Sequence, residues 1–191
     1  MLRPPAAVFC AQGTTGRAVR LQTRPWPWPW RRAARRGTAA LGYNECVTYS
    51  FIDEASARLF GGGEDATRLA NPISSEMSHM RPDLLPGLLQ AAERNQARGF
   101  MDMALFELGH VFSGGEPGEQ GTQVAGLLVG RTGPKDVHGA SRAVHLFDAK
   151  ADAEAILAAM GAPAKAQIRR DGPGWWHPGR AGNIALGPNM L

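Results

Sequence analysis

The sequence predicts an α+β fold built on a largely antiparallel sheet. Two observations carry this reading: β-type runs outnumber helical ones, and they follow one another at short, hairpin-like spacings. No internal repeat is visible. The 191 residues allow one ordinary domain, or one domain plus a tail, and a hydrophobic content of 43% is enough for a buried core. No apolar run reaches the length needed to cross a membrane. Two cysteines cannot form a disulfide scaffold or a four-cysteine zinc site.

The elements follow in order. Arg31–Leu41 predicts a short helix, weakened by Gly37 and stopped by Gly42. Cys46–Phe51 is β-branched and aromatic, which predicts a strand. Asp53 caps a short helix running to Phe60, and three glycines end it. Leu69-Ala70 is a brief extended piece before the turn signal Asn71-Pro72. The clearest helix starts near Pro82, with Leu84, Leu85, Leu88, Leu89 and Ala92 on one stripe and Gly99 as the stop. Strands are predicted at Met103–Leu108 with Val111-Phe112, and at Gln123–Gly130, across a Gly/Glu-rich turn. Arg131–Arg142 reads as a loop and Val144–Phe147 as a strand. Asp148 caps an Ala-rich helix to Met160, ended by Gly161. Ala166–Arg170 and Arg180–Leu186 are strands around a Trp-His-Pro-Gly loop, and Gly187-Pro188-Asn189 looks like a hairpin turn whose return strand is missing.

Charge is distributed unevenly. The net charge is +4, yet residues 1–40 hold eight arginines (Arg3, Arg17, Arg20, Arg24, Arg31, Arg32, Arg35 and Arg36) and no acid. The remaining chain is therefore at −4. Residues 1–30 read as a disordered basic head, with residues 31–191 as the folded domain. The run Pro25–Trp30 alternates Pro and Trp, a polyproline-like rod without internal hydrogen bonds. Arg interleaved with Trp fits an anionic membrane surface, or stacking on single-stranded nucleic acid. A transit peptide would be Ser-rich, and this head has no Ser. No apolar stretch of secretory-signal length follows the first charges. The plainest reading is a non-native or mis-started terminus without function.

The search for chemistry returns little. No phosphate-cradling GxxxxGK[ST] loop and no GxSxG elbow occurs. His79, His110, His138, His145 and His177 are scattered, with no metal-type spacing. His110 reads as satisfying a local hydrogen bond, Cys46 as a small buried thiol, and Trp175-Trp176-His177 as a loop anchor. Glu107 and Asp102 share strand surroundings, which alone is weak evidence for acid–base work.

Six segments taken together are specific. Leu41–Phe51, with Tyr43, Glu45, Thr48, Tyr49 and Phe51, resembles the GYxEVxTYSF signature of the phenylalanyl-tRNA synthetase β subunit. Asn71-Pro72-Ile73-Ser74-Ser75-Glu76-Met77-Ser78 with Met80-Arg81 is similar to that family's NPISxEMSxMR, and Leu84–Leu89 with Asn95 to its LLPGLL…N helix. Leu105–Phe112, containing Glu107, resembles LFExGxVF; Phe147–Asp152 resembles FxDxKGD; His177-Pro178-Gly179-Arg180-Ala181 resembles HPGRSA. These segments stand in the family's order over roughly residues 40–187.

The resemblance implies a class II aminoacyl-tRNA synthetase-like core, an antiparallel sheet flanked by helices. It implies a part in ATP-dependent attachment of phenylalanine to its tRNA, in the cytoplasm, within an assembly of two α and two β chains. The catalytic site belongs to α, and the β core pairs with α through Arg31–Phe51. The signature residues are then possible interface positions rather than catalytic ones. Catalytic class II domains follow the strand resembling Leu105–Phe112 with an Arg that clamps the ATP α-phosphate, in a Phe-Arg-x-Glu arrangement. Here Ser113 and Gly115 take those places, and a hydroxyl cannot replace a guanidinium fork. No catalytic, cofactor-binding or metal-binding residue is therefore expected in this chain; the whole enzyme would use ATP and magnesium. Contact with tRNA is expected through the complete enzyme, and no membrane partner. The head is unlike the family, so the chain is expected to be a fragment, truncated or frame-shifted before about Arg31 and incomplete after Leu191. The alternative is an independent module that uses the Arg/Trp head on RNA or a membrane surface.

Overall fold

The computed structural model describes residues 6–14, 29–133, 137, 141–162, 167–170, 174–177, 180–186 and 189–190. Four strands form the central sheet in the order β1-β6-β5-β2. They are β1 (Ala6–Thr14), β2 (Asn44–Glu45), β5 (Met103–Phe112) and β6 (Gln120–Val129). β6 runs antiparallel to both β1 and β5, and β2 runs parallel to β5. A two-stranded antiparallel pair joins β3 (Phe51–Ile52) to β4 (His79–Met80). A third sheet holds β7 (Gln167–Arg169), β8 (Asn183–Leu186) and β9 (Asn189–Met190), all antiparallel. The helices are α1 (Pro29–Ala40), α2 (Glu54–Leu59), α3 (Leu85–Gln96) and α4 (Leu146–Ala159). The mixed α+β class and the β5–β6 hairpin agree with the sequence reading.

Side chains alternate across the central sheet with the period of two that a strand imposes. On one face, Leu105, Val111, Ala125, Leu127 and Val129 pack against Leu84, Leu85, Leu88, Ala91 and Ala92 of α3 and its approach. On the other, Phe106, Leu108 and Val124 meet Ala34 of α1, Tyr43 and Ile156 of α4. α1 turns Trp30, Ala34 and Thr38 inward at helical spacing, and leaves Arg32, Arg35 and Arg36 exposed. Gly37 lets α1 approach α4 closely: a Cβ there would lie 3.3 Å from that of Ala159. Gly42, at φ 90, ends α1 in the left-handed region where L side chains are strained.

Several expectations are corrected. The head is not structureless throughout, because Ala6–Thr14 pairs along the whole of its length with β6. The helix begins at Pro29 rather than Arg31, since a proline is tolerated in a first turn. Four of the eight head arginines thus belong to a folded helix. Cys46–Phe51 is not a continuous strand: residues 46–50 leave the sheet and only Phe51 enters one, as the start of β3. The ladder ends when the Cys46 amide bonds the Phe106 carbonyl (2.6 Å), and the chain then leaves the sheet. Val144–Phe147 is not a strand either: Leu146 opens α4, and His145, in extended geometry, is its N-cap. Asp148 sits at the third helical position and completes a capping box from there. Leu89 is largely exposed although its stripe is buried. The hairpin has its return strand, because Asn189–Met190 pairs antiparallel with Ala185–Leu186. Residues 25–28, 178–179 and 187–188, on which the rod, part of the HPGR loop and the hairpin turn were expected, lie outside the described residues.

Candidate functional site

The signature segments converge on one structure because a buried ion pair ties them together. Glu107 lies on β5, on the face that meets α3, and Arg81 follows β4. Their side chains are each 4% exposed, with Arg81 Nη1 donating to Glu107 Oε1 at 2.8 Å. Such burial is tolerated only when the remaining polar atoms are also satisfied. Arg81 Nη1 donates to Thr48 Oγ1 (2.9 Å) and Nε to the His110 carbonyl (2.9 Å). Thr48 Oγ1 donates to Glu107 Oε2 (2.7 Å), and the Thr48 amide to Oε1 (3.3 Å). The Arg81 main chain is used as well: its amide donates to Ser50 O (2.9 Å), and its carbonyl accepts from Phe112 N (3.0 Å). Thr48, Arg81 and Glu107 therefore pin the Val47–Ser50 segment onto the strand pair β5–β6. This explains why that segment abandons strand pairing: its amide is taken by a carboxylate.

Two glycines make room for the network. A Cβ on Gly109 would lie 2.5 Å from Arg81 Nη2 and 3.2 Å from Glu107 Oε1. A Cβ on Gly87 of α3 would collide with Thr48 Oγ1. Beside it a second buried cluster fixes the start of α3. Gln123 Nε2 donates to Asp83 Oδ2 (3.1 Å), Gln123 Oε1 accepts from Leu84 N (3.0 Å), and Asp83 Oδ1 accepts from Leu85 N (2.8 Å). Burial pushes the Asp83 carboxyl upward, against these hydrogen bonds and the nearby Arg81 charge.

Above the ion pair lies a groove of about 650 Å³. It is lined by Thr48, Tyr49, Phe51, Glu76, Gln90 and Arg94, among others, and so brings three signature segments to one place. Val47 is 92% exposed and Tyr49 73%, on the pinned segment that lines it; Ile73, in the NPIS segment, is 87% exposed. Val47 and Tyr49 both line the groove, so their apolar surface is continuous with it.

The other predicted residues are spread more widely. Tyr43 is buried and its hydroxyl donates to Asp152 Oδ2 (2.6 Å); burial first, then that carboxylate, drives its pKa far above the usual phenol value. Glu45 pairs with Arg35 of α1 at 2.7 Å, on a solvated surface. Met80 pairs with Phe51 between β4 and β3. Asn95 donates to the Ala91 carbonyl (2.8 Å) and accepts from Phe100 N with its own carbonyl (3.1 Å), closing the end of α3. Asn71 and Pro72 are exposed in the loop before Ser75. His177 and Arg180 are exposed and joined by a main-chain bond of 3.1 Å. Trp175 anchors that loop against Phe60, ring centroids 4.7 Å apart. His110 contributes its carbonyl rather than its imidazole. Cys46 is half-buried, and burial raises its thiol. Asp102 accepts from Arg131 N (3.0 Å), away from Glu107's partners. The sequence reading missed the Asp83–Gln123 clamp, although Gln123 inside an apolar strand was its signal, and it missed Val47.

Ser113 donates through Oγ to the Glu119 carbonyl at 3.0 Å. A Cβ at Gly115 would lie 2.8 Å from the Ala66 carbonyl. Among the described residues no group of His, Cys, Asp and Glu has metal-holding geometry, and no helix is long and apolar enough to cross a membrane.

Comparison with known proteins agrees with the assembled segments. The family model for the phenylalanyl tRNA synthetase beta chain CLM domain matches residues 26–191, so part of the Pro/Trp run falls within it. The phenylalanine–tRNA ligase beta subunit of Ruegeria pomeroyi is 81% identical over 158 residues, 83% of this chain and 20% of the relative. That of Cereibacter sphaeroides is 72% identical over 159 residues, with the same coverage of each chain. That of Brucella abortus is 52% identical over 168 residues, 84% of this chain and 20% of the relative. The chain spans about a fifth of the length of these relatives. A solved pyrrolysyl tRNA synthetase from Desulfitobacterium hafniense shares the fold, with a TM-score of 0.57 at 12% identity, covering 85% of this chain and 53% of that one. The chain belongs to the phenylalanyl-tRNA synthetase β-chain family, and the region matched is that family's CLM domain.

Proposed function

We propose that this chain is the non-catalytic, class II-like core of a phenylalanine–tRNA ligase β subunit. It forms a rigid docking surface for the catalytic α subunit, in an assembly of two α and two β chains. The observation that carries this reading is the position of Val47 and Tyr49. Both are solvent-exposed apolar side chains on a segment whose backbone is immobilised by Thr48, Glu107 and Arg81 beneath it. A pre-organised apolar segment loses little entropy on association, which is what a permanent subunit contact requires. α1 and β2 lie next to it in the chain and extend the surface through the Arg35–Glu45 pair.

ATP and magnesium would act at the α subunit, because Ser113 and Gly115 here offer no cation to a transferring phosphate. Phenylalanine and tRNA would be bound by the assembled enzyme, as the names of the relatives imply for those proteins. The test is phenylalanine-dependent exchange of pyrophosphate into ATP. The chain alone is expected to show none, and measurable exchange with rigorously purified chain would refute the non-catalytic reading.

A further inference from the structure

β6 is flanked on both edges, but its two neighbours differ in origin. β5 reaches it through a seven-residue connection, Ser113–Glu119, whereas β1 comes from the far N-terminal segment. The β1–β6 register is continuous, from Ala6 opposite Val129 to Thr14 opposite Gly121. α4 packs against β1 as well, so the segment lies inside the layered structure.

The side chains of β6 are those of an interior strand. Gln123, Val124, Ala125 and Leu127 have no exposed surface, and the strand carries no charge and no proline. An outer edge of that kind, apolar and uncharged, is a template for pairing with another chain. Natural edges are usually blunted by lysine, proline or a bulge, and β6 has none of the first two. The segment that covers it is preceded by Pro4-Pro5, residues that cannot continue a ladder.

We propose that the outer edge of β6 is a strand-acceptor site, and that Ala6–Thr14 of the same chain is its ligand. Recognition is through main-chain hydrogen bonds, the mode of strand addition, so it tolerates a segment with no family likeness. By filling the edge intramolecularly, the segment keeps two copies of the chain from joining edge to edge.

Two experiments on the full chain decide this. In an antiparallel ladder, successive residues point their amides to opposite sides, so Val8→Pro with Phe9→Pro removes one β6-facing donor whichever register face is used. The double variant is expected to speed exchange of the alternate β6 amides between Gln123 and Val129 that face β1 by roughly tenfold or more, leaving those bonded to β5 protected, and to self-associate with rising concentration in light scattering. Unchanged exchange with a monomeric variant overturns the proposal. Should the double variant misfold, a protease site inserted between Thr15 and Arg24 keeps it testable. After cleavage of the folded chain, the N-terminal peptide is expected to co-elute with the core and to be displaced by an excess of labelled Ala6–Thr14 peptide, but not by the same peptide with both prolines. A cleaved peptide that leaves while β6 amides stay protected, or equal binding of both peptides, contradicts it.

Discussion

The ion pair beneath the groove makes a quantitative prediction. Glu107→Gln keeps the shape of the side chain and removes its charge. Arg81 is then a buried cation, 4% exposed, without a counter-charge, its acceptors reduced to the His110 carbonyl, Thr48 Oγ1 and one neutral amide oxygen. Both oxygens of Glu107 are in use, one by Arg81 and the Thr48 amide, the other by the Thr48 hydroxyl. The new NH2 group must therefore either face the donors Arg81 Nη1 and Thr48 N, or take the Oε2 place and force the Thr48 hydroxyl to turn from donor to acceptor. Breaking one side of a buried pair typically costs about 3–5 kcal/mol, against a total domain stability of about 5–15 kcal/mol. Thr48→Val removes only neutral-side hydrogen bonds to charged groups and should cost about 1.5–3 kcal/mol. The ranking is the test: Glu107→Gln worse than Thr48→Val, with the double variant well short of the sum, because both act on one network. Urea unfolding followed by circular dichroism measures it. If Glu107→Gln moves the midpoint by less than Thr48→Val, or if the two effects add, the network does not hold the segment as described.

Other outcomes follow from neighbouring geometry. Arg142 hydrogen-bonded to Asp148 holds that carboxyl down to about 2, below its ordinary 3.8. Its stabilising contribution is therefore full above the unfolded value and is lost as pH falls through the folded one; Asp148→Asn should flatten the acid limb of stability measured between pH 5 and 2. Asp83 runs the opposite way: its carboxyl is raised by burial, so ionising it costs stability as pH climbs past the unfolded value. Asp83→Asn turns one acceptor toward Gln123 Nε2 or Leu85 N into a donor, and a loss of about 1–3 kcal/mol is expected in the same unfolding assay. Gly109→Ala places a methyl against Arg81 and Glu107, and should lower the melting temperature although alanine suits a strand better than glycine. A neutral or stabilising Gly109→Ala would show that the ion pair is free to move.

The fold was legible where local rules and tertiary demands agree. α3 and the β5–β6 hairpin follow from apolar periodicity, and α2 from Asp53, whose carboxylate accepts from Ser56 N at 2.8 Å. It was illegible where a long-range partner overrides propensity. Cys46–Phe51 has the composition of a strand, yet Glu107, dozens of residues away in the chain, claims the Thr48 amide. Leu146-Phe147 looks extended, yet His145 and Asp148 build a reciprocal cap around it. Ala6–Thr14 showed no usable alternation, and its partner β6 lies more than a hundred residues away in the chain. The same division applies to the site. Thr48, Arg81 and Glu107 were singled out through their signature segments, but their meeting is a tertiary fact. Asn71, His177 and Arg180, chosen on equal grounds, stay outside that cluster.

The central claim is that the pinned, exposed segment Val47–Tyr49 is a subunit contact. It is tested most directly by titrating the catalytic α subunit of a phenylalanine–tRNA ligase with this chain and with Val47→Asp plus Tyr49→Asp, by calorimetry. Both positions are exposed, so the double variant should unfold at nearly the wild-type denaturant concentration. Buried charge at an apolar contact should nevertheless weaken α binding by roughly a hundredfold or more. Equal affinity of α for the wild-type chain and a folded double variant would contradict the account.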